Sequence, residues 1–237
     1  MAAIFVSFPV SADPLRIFVA ASLGDAVKAA VSDWPEQVLI SASGSGTIAR
    51  QIDQGAPADV IMLANTDWMD WLEGRGHIIP ESRSEPIGNR LVLVGPPGAD
   101  DLSELTREAV LSRLGANGRL AIGEHRSVPA GQYAAQWLQT IGLWEDLRPR
   151  LAEVENVRAA LALASRGEVP LAVIYASDLA AAPDAGSLVW DIPKSEQPEI
   201  RYSVAATHDR GVALAKFLTG PETVQIFTQF GFKGGAD

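Results

Sequence analysis

The sequence predicts an α/β protein folded as two lobes, and three observations lead there. Short β-rich runs alternate with helical stretches from Leu15 almost to the C-terminus, the pattern of strands joined by helices in a largely parallel sheet. A chain of 237 residues holds one large domain or two small ones, each able to bury its own core. Two polar stretches open directly into strands, near Gly88 to Val92 and Glu199 to Val204, and would carry the chain from one lobe to the other and back. The expected lobes are residues 13–90 with 202–237, and residues 91–201.

The elements follow in order. LRIFVA, from Leu15, reads as a strand followed by a helix from about Gly24; VLISAS precedes a helix from about Thr47; DVIMLA precedes a helix through Trp68 to Leu72. RLVLVGP is a strand, with a helix near Leu102 to Leu114 after it. RLAIGE, a helix from about Gly131, a helix from Val157 to Ser165 and the strand of LAVIYASD complete the middle. IRYSVAAT reads as a last strand, and two helices around Val212 to Leu218 and Glu222 to Phe230 are broken at Gly220-Pro221. Trp68, Met69, Trp71 and Leu72 share helical spacing and read as core, as do Tyr133, Trp137 and Ile141. The charges from Glu145 to Arg150 read as a solvated turn.

Composition removes several function classes. Hydrophobic residues make up 47% and charged residues 20%, ordinary for a globular chain. The net charge of −10 repels phosphate backbones and anionic membranes, so no nucleic-acid partner is expected. Cysteine is absent, which excludes thiol catalysis, a zinc ribbon and a disulfide framework. His77, His125 and His208 lie far apart in sequence, so a histidine-rich metal site is not expected either. The first twelve residues, MAAIFVSFPVSA, are apolar and end in Val10-Ser11-Ala12, a small-x-small cleavage pattern; without a basic start they read as the remnant of an export signal.

Chemistry concentrates where strands end. Four junctions pass from a strand into a helix through small or hydroxyl residues: Phe18-Val19-Ala20-Ala21-Ser22-Leu23, Ser41-Ala42-Ser43-Gly44-Ser45-Gly46-Thr47, Ser127-Val128-Pro129-Ala130-Gly131 and Glu155-Asn156-Val157. Each aims unpaired backbone N–H groups and the positive end of a helix dipole at one point, which suits an anion. Ordinary capping accounts for any one of them, so the weight rests on their recurrence. In the glycine-rich junction, small residues would let a ligand approach the backbone. Tyr175 closes a strand at the carboxyl end, where α/β sheets place ligands.

Two enzyme readings compete. Gly44-Ser45-Gly46-Thr47-Ile48-Ala49 fits G-x-G-x-x-A, the fingerprint of a nucleotide-dependent α/β enzyme, with Asp67 as the acidic residue some 20 positions on. A serine hydrolase with His125 and Asp178 requires glycine two residues either side of the nucleophile; Ser45 has Ser43 and Thr47 there.

The motifs FVAASL, SGTIARQIDQGAPAD from Ser45 to Asp59, VPAGQYA, VRAALAL and IYASD occur in an order that resembles the periplasmic molybdate-binding proteins of ABC importers. Leu218-x-Gly220-Pro221 and the closing QIFxxFGF are similar to that family as well, and the likeness runs from about Leu15 to Lys233. It implies a bilobal periplasmic-binding-protein fold of type II form, with the ligand cleft between two α/β lobes. It also implies a periplasmic, monomeric, non-catalytic protein without a cofactor, which hands molybdate or tungstate to a membrane permease. The ligand residues it implies are Ser22, Ser45, Ala130, Val157 and Tyr175, which would meet the metal only through the oxygens of the oxyanion. The loop is more glycine-rich than in some members, leaving open whether Ser43 or Ser45 points inward. Sulfate or another oxyanion is the alternative ligand; a donor-only lining would disfavour hydrogen phosphate, whose hydroxyl needs an acceptor.

Overall fold

A computed structural model describes residues 13–235. The segment read as an export-signal remnant lies outside them. In chain order the strands and α-helices are β1 (Leu15–Ala20), α1 (Gly24–Ala30), β2 (Val38–Ser43), α2 (Ser45–Asp53), β3 (Val60–Leu63), α3 (Thr66–Glu73), β4 (Ser84–Gly88) and β5 (Leu91–Gly95). There follow α4 (Arg107–Leu114), β6 (Leu120–Gly123), α5 (Pro129–Thr140), α6 (Trp144–Leu147), β7 (Leu151–Val154), α7 (Val157–Ser165), β8 (Leu171–Tyr175) and α8 (Ala176–Ala181). The chain then forms β9 (Ser187–Asp191), β10 (Arg201–Ala206), α9 (Val212–Leu218), α10 (Pro221–Gln229) and β11 (Lys233–Gly234).

Two sheets result, one per lobe, in the orders β11-β4-β10-β3-β1-β2 and β7-β6-β8-β5-β9. The first takes its strands from both ends of the chain and the second from the middle. The central strands β3 (VIML) and β8 (LAVIY) are buried along their whole length, as continuous apolar runs require when helices cover both faces. The chain crosses between lobes twice, at Asn89-Arg90 and between β9 and β10. The Gln197 side chain ties these crossings together: its Oε1 accepts from Leu91 N–H and its Nε2 donates to Leu91 O, both at 2.8 Å.

The sheets are mixed rather than largely parallel. β1 pairs in parallel with β2 and β3, and β6 with β7 and β8, whereas β10, β4, β11, β5 and β9 make antiparallel pairs. The antiparallel strands include those entering and leaving the crossings, which approach their sheet without a βαβ connection to set them parallel. The helix expected from Leu102 begins only at Arg107. Leu102 N–H is committed to Val189 O of β9 (2.9 Å), and Thr106 caps the helix by accepting from Ala109 N–H (3.1 Å). The stretch from Glu145 to Arg150 is more than a solvated turn: α6 buries Leu147, Asp146 takes a bidentate bond from Arg107 at 2.6 Å, and Arg150 holds the Gly115 and Gly118 carbonyls.

Parallel register positions the cleft. In the first lobe, Ala20 lies opposite Ser43 at the carboxyl ends of β1 and β2, so the loops carrying Ser22 and Ser45 emerge side by side. In the second, Gly123 lies opposite Val154, and the loops leading to α5 and α7 leave from neighbouring strands.

Candidate functional site

All four strand-to-helix junctions and Tyr175 line one cavity between the lobes. Ala20, Ala21, Ser22, Ser43, Gly44, Ser45 and Ala64 form its first-lobe side; Val128, Pro129, Ala130, Asn156, Val157 and Tyr175 form the other. Ser22, Ser45, Ala130, Val157 and Tyr175 are thus brought together, each at most 4% exposed. Atom-free space amounts to about 210 Å³ including the mouth. That space includes open solvent, so the cavity itself is well below the roughly 300–1,000 Å³ of pockets for organic ligands and too small for a nucleotide in this form.

The lining offers donors. Ser45 begins α2, and its Oγ accepts from Ala64 N–H at 3.0 Å, which leaves the hydroxyl proton to point elsewhere. Ser43 lines the same cavity from the end of β2 but is less buried. In α5, Pro129 has no N–H, while Gly131 and Gln132 N–H both donate to Val128 O (2.9 Å). Ala130 N–H is the amide left over, with no backbone acceptor among the described residues. At α7 the Asn156 side chain accepts from Ala159 N–H (3.0 Å), which leaves Val157 N–H at the open end of the helix. The Tyr175 hydroxyl is buried without a hydrogen-bond partner. Burial, and after it the proximity of Tyr202, Tyr133 and Asp178, holds this phenol neutral by raising its pKa well above the ordinary value, so it remains a donor. A buried hydroxyl without a protein partner is costly unless a ligand accepts its proton.

Among the described residues, no charged side chain lines the cavity. The two cations beside it are neutralised elsewhere. Arg158, on α7, makes an ion pair of 2.5 Å with buried Asp178 and one of 3.3 Å with Asp25 of the first lobe. Arg126 is held by Glu124 at 2.7 Å. Burial raises the Asp178 pKa to about 6, against the opposing pull of Arg158. The imagined hydrolase partners do not meet Ser45: Asp178 belongs to the Arg158 pair, and His125 Nδ1 lies 2.5 Å from Glu153. Asp67 sits in the first turn of α3, outside the cavity lining.

The lobes touch across the mouth. Trp68 Nε1 donates to Ser127 O (2.9 Å), so this indole is a bridge between lobes and not the simple core residue its spacing predicts. Asn65 Nδ2 donates to Gln132 Oε1 at 3.0 Å. The glycines of the second junction also serve this contact. A Cβ on Gly44 would stand 2.5 Å from Glu155 O, and one on Gly46 would stand 2.5 Å from Ser127 O and 2.9 Å from the Trp68 ring. Neither Trp68 nor Asn65 was identifiable beforehand, because each lies on an ordinary amphipathic helix start and only the packed lobes reveal its partner.

Comparison with known proteins sets this geometry in context. The model of a family described as bacterial extracellular solute-binding protein matches residues 15–233. The chain belongs to that family. Among relatives of this solute-binding protein, the molybdate-binding protein ModA of Escherichia coli K12 is 36% identical over 92% of this chain and 88% of its own length. ModA of Haemophilus influenzae is 30% identical, over 95% and 92%. The periplasmic molybdate-binding protein of Azotobacter vinelandii has the same fold, with a TM-score of 0.79 at 21% identity, over 92% of this chain and 98% of that one.

Proposed function

We propose that this solute-binding protein captures molybdate, or the equally charged and similarly shaped tungstate, between its lobes in the periplasm and delivers it to the permease of an ABC importer. The observation that carries the reading is a small cavity between the lobes whose lining is uncharged and rich in donors, in a chain 36% identical to a molybdate-binding protein. In it, the hydroxyls of Ser22, Ser45 and Tyr175 and the amides of Ala130 and Val157 donate to the oxyanion oxygens. The lobes run over residues 13–90 with 202–237 and over 91–201. The protein acts as a monomer, carries no cofactor and catalyses no reaction.

Hydrogen bonds to a charged group contribute about 1.5–3 kcal/mol each, so a handful of fixed donors can replace the water of a dianion. Their positions set the radius and number of oxygens accepted, and this fixed geometry disfavours the smaller sulfate. Donors come from both lobes, so the anion stabilises the closed form, and closure presents the permease with a surface the open form lacks.

Calorimetric titration at neutral pH, followed in parallel by the fluorescence of the lobe-bridging Trp68, tests the proposal. One molybdate or tungstate per chain should bind, with sulfate much weaker. Tight sulfate binding with no molybdate binding would transfer the reading to sulfate, and nucleotide binding in place of either would end it.

A further inference from the structure

Behind Ser22 lies a chain of buried hydrogen bonds with a fixed direction. Arg90 N–H donates to Asn89 Oδ1 at 2.9 Å, which identifies the other end of the amide as nitrogen. Asn89 Nδ2 then spends its two protons on Ser177 Oγ (2.8 Å) and on the Tyr202 hydroxyl oxygen (3.2 Å). The Tyr202 oxygen therefore accepts, and its own proton is directed to Ser22 Oγ, 2.9 Å away. Ser22 in turn accepts from Tyr202 and keeps its proton for the cavity it lines. In the opposite direction the Tyr202 oxygen would accept from both Asn89 and Ser22, and its own buried proton would be left without an acceptor among the described residues.

Resting on the reading of the cavity as an oxyanion site, we propose that Asn89 and Tyr202 are positioning residues that make Ser22 an obligate donor, and so select fully deprotonated oxyanions over protonated ones. Molybdate presents only acceptors. Hydrogen phosphate has the same charge above neutral pH but carries one hydroxyl, which must find an acceptor. A serine hydroxyl that could turn would supply one. The relay occupies one lone pair and turns the proton toward the cavity, as Ala64 N–H does for Ser45. The residues come from parts of the chain that meet only in the fold: Asn89 from the first crossing, Tyr202 from the strand after the second, Ser177 from α8 and Ser22 from the first lobe.

Two variants test this, read by calorimetric titration with molybdate and with inorganic phosphate at pH 8. Tyr202→Phe removes the hydroxyl while keeping the ring edges against Tyr175 and Phe232, which pack at 5.9 and 5.3 Å. Asn89→Asp keeps the amide's shape but accepts where the amide donates, and so reverses the relay. Its added charge weakens both dianions alike, so the readout is the ratio of molybdate to phosphate affinity. That ratio should fall at least tenfold in each variant, with phosphate binding becoming measurable. A ratio unchanged from wild type in folded, molybdate-binding Tyr202→Phe or Asn89→Asp protein overturns the proposal while leaving the oxyanion reading intact. Wild-type protein that binds no molybdate removes both.

Discussion

Two of the concavities where the lobes meet contrast in how they treat charge. The cleft is small and no charged side chain among the described residues lines it; the groove at the crossings is several times larger, opens to solvent and gathers Arg90, Lys194 and Lys233 around Asp191. Burial, and after it the neighbouring Arg90 and Lys194, lowers the Lys233 pKa, as mutual repulsion among cations requires. A search for an anion site by charge alone would choose the groove. In the proposed function the cleft instead uses fixed dipoles, which act at short range and reward correct geometry, whereas exposed cations attract any anion and are screened by salt. Size and formal charge are therefore poor guides here; unpaired donors are the better one.

Several substitutions would break or sharpen that contrast. Ala130→Asp has the largest expected effect, since it sets a carboxylate in the cleft: molybdate binding should vanish in calorimetry while circular dichroism stays native. Gly46→Ala should weaken binding roughly a hundredfold without touching a donor, because the methyl meets Ser127 O and the Trp68 ring and resists closure. Ser45→Ala removes one donor, worth about 1.5–3 kcal/mol, so a loss of roughly ten- to a hundredfold is expected. Lys194→Ala and Lys233→Ala, in the groove, should change molybdate affinity less than twofold.

Proton linkage offers a separate check on the Asp178–Arg158 ion pair beside the cleft. The folded state raises the Asp178 pKa from 3.8 to about 6, so it holds this proton more tightly than the unfolded chain does. Stability from this group is present in full below about pH 4 and declines as pH rises through about 6. In thermal denaturation across that window, Asp178→Asn should flatten the decline; an unaltered slope would assign it to other groups.

Much of this was legible in the sequence. Alternating β-rich and helical runs located β1, β2, β3, β5, β6, β8 and β10, and recurrent small-residue junctions pointed to the loops that line the cleft. Less was legible where local pattern is weak. β4 (SEPIG), β7 (LAEV), β9 (SLVWD) and β11 lack a continuous apolar run, and their strand pairing is set by neighbours distant in sequence. Gly44 and Gly46 were visible as glycines, but their use against Glu155 O and Ser127 O depends on the opposite lobe. The relay from Asn89 through Tyr202 to Ser22 joins residues 113 and 180 positions apart, and no spacing rule connects them.

Crystals grown with molybdate and measured at the molybdenum absorption edge test the central claim most directly. The account predicts one strong anomalous peak, in the cleft, with anion oxygens roughly 2.7–3.2 Å from the Ser22, Ser45 and Tyr175 hydroxyls and the Ala130 and Val157 amides. A peak beside Arg90, Lys194 and Lys233, with none between the lobes, would contradict it.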